Sequence, residues 1–257
     1  MSTAAPLHGK IALVTGAGRG IGRAVAVDWA AAGAAGALVA RSVDELEAVA
    51  GEITAAGGQA LVAPAAVTDP AAVARACTAT VDGLGGIDLV LANAGGTFPH
   101  GTVADGDYDA WRDTFTLNVD GVYLTAQAAI PHLRARGGGK ILVMGSGAGR
   151  RAGPGWGPYA SAKAAVSMLV RVLAQELRAE RIAVNEIIPG PVHTVLADKV
   201  GATGLAGAPT SIVGTMAGVA TEWFKQPDDV AGLTRYLATL PDDGPTGQTF
   251  SLLGRDL

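Results

Sequence analysis

The chain has 257 residues, with 23 acidic against 19 basic side chains and a formal charge of −4; it has no basic excess for nucleic-acid phosphates, and at 49% hydrophobic and 16% charged it is no disordered acidic tail. That length supports one large domain or two small ones with a sizeable core. Its 37 glycines and 51 alanines, with no G-X-Y period, suit helices lying close against a sheet and loops that approach a ligand closely.

Residues 1–10, MSTAAPLHGK, have no charged segment followed by a long apolar stretch, so no secretion signal is expected. Short β-rich apolar runs then alternate with helical stretches about every 25 residues, the pattern of repeated βαβ units around a parallel sheet. Strands are predicted over 10–15, 37–40, 59–63, 87–92, 140–145, 182–188 and 248–252, and helices over 21–32, 43–56, 70–84, 107–136, 159–180 and 227–238. The first six strands are apolar without alternation, as expected where helices cover both faces. No linker, charge block or repeat divides the chain, so one doubly wound α/β (Rossmann) domain over 1–257 is expected.

The first strand runs into TGAGRGIG, residues 15–22, and then into a helix. A strict G-x-G-x-x-G is absent, but Gly16, Gly20 and Gly22 give G-x-x-x-G-x-G. That spacing serves the same physics: a tight turn, close backbone approach to a pyrophosphate, and helix-to-strand contact without a Cβ, at a helix N-terminus. Alone, such a loop is also compatible with a flexible βα turn. The second strand should end near the adenosine ribose, and there stand Ala40, Arg41 and Ser42. A carboxylate would hold both ribose hydroxyls, whereas a small residue followed by arginine leaves room and charge for a 2′-phosphate. Arg19, inside the glycine loop, converges on the same ribose. Either arginine alone reads equally as a solvated charge; together they favour NADP(H) over NAD(H).

The third helix carries the chain's only cysteine, Cys77, in AAVARACTATV. It reads as a small buried residue, and with no partner for a disulfide a reducing cytoplasm is the expected location. The acidic run DGDYD at 105–109 lacks the glycine and glutamate of a calcium loop, having Ala110 and Thr116 at the sixth and twelfth places, and reads as charge at a helix N-terminus. His8, His100, His132 and His193 have no metal-ligand spacing, so no metal is expected. Ser146 follows the fifth strand, and Met144 and Ala148 stand where a hydrolase elbow needs glycines. Tyr159 and Lys163, four apart in PYASAKAA, project from one face of a helix. A neighbouring ammonium stabilises a phenolate, which makes an acid/base pair, although most such pairs are ordinary helix faces.

Taken together in this order, TGAGRGIG, NAG at 93–95, Asn118 in TLNVDG, Ser146 in MGSGAG, YASAK at 159–163 and PGPVHT at 189–194 resemble the short-chain dehydrogenase/reductase family. The likeness is to its branch of about 250 residues, similar to 3-oxoacyl-carrier-protein reductases, and it covers nearly the whole chain. The resemblance implies that Tyr159 exchanges the proton, Ser146 orients and polarises the substrate oxygen, and Lys163 holds the nicotinamide ribose and lowers the tyrosine pKa. It implies that Asn118 kinks its helix and holds a water linking Lys163 to solvent. Cofactor contacts implied in the same way are Gly16, Arg19, Gly20 and Ile21 at the phosphates and ribose, and Arg41 and Ser42 at the 2′-phosphate. Val67, Asn93, Ala94 and Gly95 fall beside the adenosine half, and Pro189, Gly190, Val192 and Thr194 border the nicotinamide together with Tyr159 and Lys163. Thr15 is expected to bond the backbone of the NAG segment. A homotetramer built through the helices over 107–136 and 159–180 is implied as well.

Two departures stand out. Ala66 precedes Val67 where the family usually has aspartate, a lost adenine contact of about 1 kcal/mol. SLLGRDL replaces the usual C-terminal DGG-type ending, which puts the family's C-terminal packing in question. Glu186, after Asn185, occupies a place that is usually uncharged. In an open parallel sheet the ligand lies beyond the strand carboxyl ends, so the segments after strands four, five and six should form the pocket: Phe98 and His100, then Arg150, Arg151 and Trp156, and a lid over 193–223. Within that lid, residues 200–221 are uncharged and long enough to span a bilayer, but five glycines, a proline and five hydroxyl residues make a surface segment the expectation. Arg150 and Arg151 read either as binders of an acidic group or as a solvated turn. The expected activity is NADPH-dependent ketone reduction, reversible as secondary-alcohol oxidation, on a small molecule, with no nucleic-acid or membrane partner. An NAD-dependent alcohol dehydrogenase and a non-catalytic NADP(H)-sensing regulator are the alternatives.

Overall fold

The structure is a computed structural model, and it describes residues 5–98, 101–151, 153–194 and 224–254. Seven parallel strands form one sheet: β1 (Ile11–Thr15), β2 (Ala35–Val39), β3 (Gln59–Val62), β4 (Leu89–Ala92), β5 (Gly139–Met144), β6 (Ile182–Ile188) and β7 (Thr249–Ser251). Their order across the sheet is β3-β2-β1-β4-β5-β6-β7. The chain winds outward from β1 in one direction and returns at β4 to wind the other way, so a crevice opens above the carboxyl ends of β1 and β4.

Helices cover both faces. Helices α1 (Gly20–Ala31), α2 (Val43–Ala55) and α7 (Pro227–Thr239) share one apolar core with the sheet, centred on Val25, Trp29, Leu46, Ile53 and Val230. Helices α3 (Pro70–Leu84), α5 (Gly121–Ala135) and α6 (Gly157–Leu177) supply the other, with Cys77, Val122, Leu133, Val166 and Leu173. Strands β1, β4, β5 and β6 are buried along their whole length, which is why they show no alternation. Cys77 is buried in α3, and the loss of water around it pushes its thiol up to about 11.

Helix starts follow the capping chemistry of the sequence. Asp69 accepts from the amides of Ala71 and Ala72 ahead of α3, with Pro70 in the first turn. Asp107 caps α4 (Tyr108–Phe115) in the same way, so the acidic run does sit at a helix N-terminus. The continuous helix expected over 107–136 is α4, a π-helical turn (Thr116–Asp120) and α5. The Gly121 amide reaches back five residues to the Thr116 carbonyl, and the Asn118 side chain takes up the Thr114 carbonyl at 2.8 Å. Helical periodicity is blind to this one-residue insertion.

Candidate active site

The glycine loop is shaped by contacts that no Cβ would permit. Gly16 and Gly20 have φ of 68° and 55°, and a Cβ on Gly22 would overlap the Gly16 carbonyl and come within 2.7 Å of Asn93 Nδ2. Thr15 is buried and ties this loop to the segment after β4: its hydroxyl donates to the Leu91 carbonyl at 3.2 Å and accepts from the Asn93 and Ala94 amides at 3.0 and 3.1 Å. Asn93 Nδ2 donates back to the Thr15 carbonyl at 3.0 Å. Helix α1 begins just beyond, and among the described residues no side chain caps its N-terminus. Free first-turn amides beside a Cβ-free loop are what a dinucleotide pyrophosphate requires, so these residues fit a nicotinamide dinucleotide.

At the ribose end, Arg41 is exposed, whereas Arg19 bonds Glu45 of α2 at 3.2 Å, and Glu45 in turn packs over Gly18. The Ser42 hydroxyl accepts from the Glu45 amide at 3.4 Å as the cap of α2. Val67 is buried against Gly121. At the other end of the crevice, Gly190 turns the chain after β6 with φ of 72°, and Val192 pairs with Lys225 across an isolated bridge. A Cβ on Gly20 would stand 3.4 Å from the Thr194 methyl, so PGPVHT approaches the start of α1 next to Ile21. Residues 195–223, most of the expected lid, and His100 lie outside the described residues.

Asn118, Ser146, Tyr159 and Lys163 come from three segments: the π turn, the turn after β5, and α6, which carries both Tyr159 and Lys163. Asn118, fully buried in the π turn, brackets the segment after β4: its Nδ2 donates to the Gly96 carbonyl at 2.6 Å and its Oδ1 accepts from the Gly96 amide at 3.3 Å. Gly95 lies between Asn118 and Lys163, since a Cβ there would stand 2.9 Å from Asn118 Oδ1 and 3.6 Å from Lys163 Nζ. Ser146 lies just beyond β5 and accepts from the Ala148 amide at 3.2 Å. One turn of α6 separates Tyr159 from Lys163, whose ammonium lies 5.7 Å from the Tyr159 ring centroid. Lys163 is buried and donates to the Met144 carbonyl at 2.9 Å.

The electrostatics differ from the sequence expectation in one respect. Burial raises the Tyr159 phenol above its ordinary value, and the opposing influence is its hydrogen bond with Ser146. Lys163, whose ammonium is committed to Met144, is not what lowers it here. Burial pulls Lys163 down to about 8, and the negative charge of Glu186 resists that fall.

Arg150 is neither a ligand-binding cation nor part of a solvated turn. Its guanidinium is turned inward, with Nη2 2.8 Å from Glu186 Oε2, 2.7 Å from Ser167 Oγ and 2.8 Å from Thr249 Oγ1, two of which its two hydrogens serve at a time. Sequence reasoning missed this cluster because each charge looks ordinary alone, but two uncharged neighbours signalled it: Gly145 leaves the space that Glu186 fills, and Thr249 supplies a hydroxyl from the edge strand. Arg151 remains exposed. Of SLLGRDL, Ser251 ends β7 and Leu253 packs on Gly147 beside Ser146, while residues 255–257 lie outside the described residues. Aromatic rings border the Tyr159 side of the site: Trp156 is 6.0 Å from Tyr159 in a tilted arrangement, and Trp111 stacks on Phe115 at 5.1 Å. Among the described residues no group of His, Cys, Asp or Glu is placed to hold a metal ion, and no helix is long and apolar enough to cross a membrane.

The chain matches the short chain dehydrogenase family over residues 10–204. It belongs to that family. It is 32% identical over 250 residues to the 3-oxoacyl-[acyl-carrier-protein] reductase of Synechocystis, covering 96% of this chain and 97% of that one. A short chain dehydrogenase from Burkholderia cenocepacia in complex with NADP superimposes with a TM-score of 0.84 at 33% identity, over 96% and 97% of the two chains. A 7α-hydroxysteroid dehydrogenase complexed with NADH and 7-oxoglycochenodeoxycholic acid gives 0.86 at 29% identity, over 100% and 98%. The protein is therefore an oxidoreductase acting on CH–OH or C=O groups of small molecules with a nicotinamide cofactor.

Proposed function

We propose that this short-chain dehydrogenase is an NADPH-dependent ketone reductase, reversible as a secondary-alcohol dehydrogenase. The observation that carries the reading is the convergence of Asn118, Ser146, Tyr159 and Lys163 beside the glycine loop and the turn after β6. Gly16, Gly20, Ile21 and the open start of α1 hold the pyrophosphate, Asn93, Ala94, Gly95 and Val67 line the adenosine side, and Pro189, Gly190, Val192 and Thr194 border the nicotinamide. When bound, the cofactor supplies or accepts a hydride at the substrate carbon. Ser146 directs its hydroxyl at the substrate oxygen, and Tyr159 passes the proton to it in reduction or takes it in oxidation. Lys163 supports the ribose and places a positive charge near the phenol, and Asn118 fixes the backbone at Gly96 that walls this pocket. Trp111, Phe115 and Trp156 suit a substrate with an apolar body.

The NADPH preference rests on Arg41, exposed at the end of β2 with no carboxylate in the ribose position. The Arg19–Glu45 pair is the observation favouring the NAD-dependent alternative, because it draws one of the two arginines toward a carboxylate. The sensor alternative has no use for a complete acid/base set. The exposed apolar side chains Tyr123 on α5 and Met168 and Val172 on α6 support a homotetramer joined through these helices. We place the protein in the cytoplasm as one dinucleotide-binding domain over 1–257, with 193–223 as its lid.

Titration with NADPH and NADH by nicotinamide fluorescence, followed by turnover on ketones of graded size and polarity, tests the reading. Tighter NADPH binding with turnover of a ketone is expected. Equal affinities would overturn the cofactor assignment, and tight binding without turnover of any carbonyl or alcohol would favour the sensor.

A further inference from the structure

Glu186 sits in the middle of β6, 1% exposed, with one oxygen crowded by donors and the other left bare. Its Oε2 accepts from Arg150 at 2.8 Å, Ser167 at 3.0 Å and Thr249 at 2.8 Å. Its Oε1 accepts no hydrogen bond among the described residues, and it fills the space where a Cβ of Gly145 would stand. Gly145 separates Met144, whose carbonyl anchors Lys163, from Ser146. Ser167 lies one turn beyond Lys163 on the same face of α6. The carboxylate is thus packed under the short stretch of backbone that joins the anchor of the lysine to the catalytic serine.

We propose that Glu186 is a positioning residue for proton transfer: locked by Arg150, Ser167 and Thr249 and packed at Gly145, its carboxylate fixes the Met144–Ser146 backbone and sets a negative charge beside the carbonyl that anchors Lys163. The proposal deepens the reductase reading and rests on it. Burying a carboxylate and leaving one oxygen unpaired is costly, and replacing such ion pairs by apolar groups is often neutral or stabilising. Stability alone therefore does not account for the arrangement, and a charge acting on a neighbour does. That neighbour is at hand, since burial drives Lys163 toward its neutral form and Glu186 is the charge that opposes this. Arg150, from the turn after β5, tempers the effect, and its Nη2, set among Glu186 Oε2, Ser167 and Thr249, keeps its charge on the Oε2 side.

The other groups packed around α6 do not compete. Asn118 of the π turn is neutral. Asp109, Arg112 and Asp113 of α4 and Asp120 of the π turn are exposed to solvent, as is Arg178 at the end of α6, and water and salt screen them. Lys140 of β5 is paired with Asp242, and Glu180 with Arg134. Tyr159 is the remaining titratable group facing Lys163.

The test is the pH dependence of Glu186→Gln and Arg150→Gln, read in two ways. The first is the alkaline limb of kcat for ketone reduction, where Lys163 loses its charge. The second needs no substrate. A folded Lys163 pKa of about 8 against an ordinary 10.5 means that the unfolded chain holds more protons between those values, so stability climbs with pH across that window. The climb should be missing in Lys163→Met. Glu186→Gln should move both the kcat limb and the onset of the climb down by about half a pH unit or more, and Arg150→Gln should move both up. Variants that melt lower but keep the wild-type limb and onset would show a packing role only and overturn the proposal. If Glu186→Gln yields no folded protein, the direction of the Arg150→Gln shift decides alone. If no carbonyl is turned over, the reductase reading fails while the melting curves still judge Glu186.

Discussion

The two ends of the crevice both carry an arginine bonded to a glutamate, and the pairs behave differently because water reaches only one of them. Arg19 and Glu45, at the adenosine end, have side chains 57% and 38% exposed. Arg150 and Glu186, behind the catalytic residues, are 23% and 1% exposed. Two unit charges about 4 Å apart interact by about 1 kcal/mol in bulk water and about 4 kcal/mol where the effective dielectric is near 20. The outer pair is cheap to break, so Arg19 remains available to a phosphate. The inner pair is fixed, so its field at Lys163 does not vary with the ligand. On the proposed reading, adjustable charge would serve recognition and fixed charge would serve proton transfer.

The largest effect should come from the buried end. Tyr159→Phe removes the proton donor while keeping the ring beside Trp156 and Lys163, and kcat should fall on the order of 10²- to 10⁴-fold with NADPH affinity nearly unchanged in a fluorescence titration. A variant that still reduces ketones at the wild-type rate would break the division between the two ends. Next is Gly22→Ala, which tests the backbone on which both ends stand. Its Cβ would be forced against the Gly16 carbonyl, an overpacking of about 2–3 kcal/mol. A fall in Tm of roughly 4–12 °C should accompany loss of binding of both NADPH and NADH.

That backbone was the most legible part of the molecule. Continuous apolar runs announced the central strands because both faces are covered, and the strand ends moved by only one or two residues, with 182–188 found as expected. The glycine loop was readable because its function is a prohibition on Cβ atoms, and composition records prohibitions well. The π turn at Asn118 was not readable from periodicity, since one extra residue in a helix leaves the spacing of apolar side chains almost intact; the family resemblance alone pointed to an irregularity there. The Arg150–Glu186 pair was hidden for another reason: its members are 36 residues apart, and only the sheet register, which sets Glu186 opposite Val143 and Thr249, brings them under one turn. The tetrad residues were named from spaced motifs. That Lys163 bonds the Met144 carbonyl and feels the charge of Glu186 depends on three-dimensional burial, which no spacing encodes.

At the exposed end the expected effects are smaller. Arg41→Ala should weaken NADPH by about tenfold, in line with one charge-assisted hydrogen bond to a phosphate of about 1.5 kcal/mol, and should leave NADH within error. The loss should shrink as salt is raised, because the site is open to screening. Equal weakening of both cofactors would mean that Arg41 supports the loop rather than the 2′-phosphate, and would remove the main argument for NADPH.

The smallest effect is the sharpest test of the contrast. Glu45→Gln releases Arg19 from a pair that, being exposed, is worth about 0.2–1 kcal/mol, and it keeps the packing over Gly18 that the glutamate side chain provides. If Arg19 is shared between Glu45 and the 2′-phosphate, NADPH should bind roughly two- to fivefold more tightly, while NADH, which offers no second phosphate there, gains nothing. The gain should vanish in an Arg19→Ala background, since the two substitutions act through one guanidinium. A gain for both cofactors would instead point to the carboxylate repelling the pyrophosphate through the loop. Glu45 would then belong to general electrostatics, leaving cofactor choice to Arg41 alone.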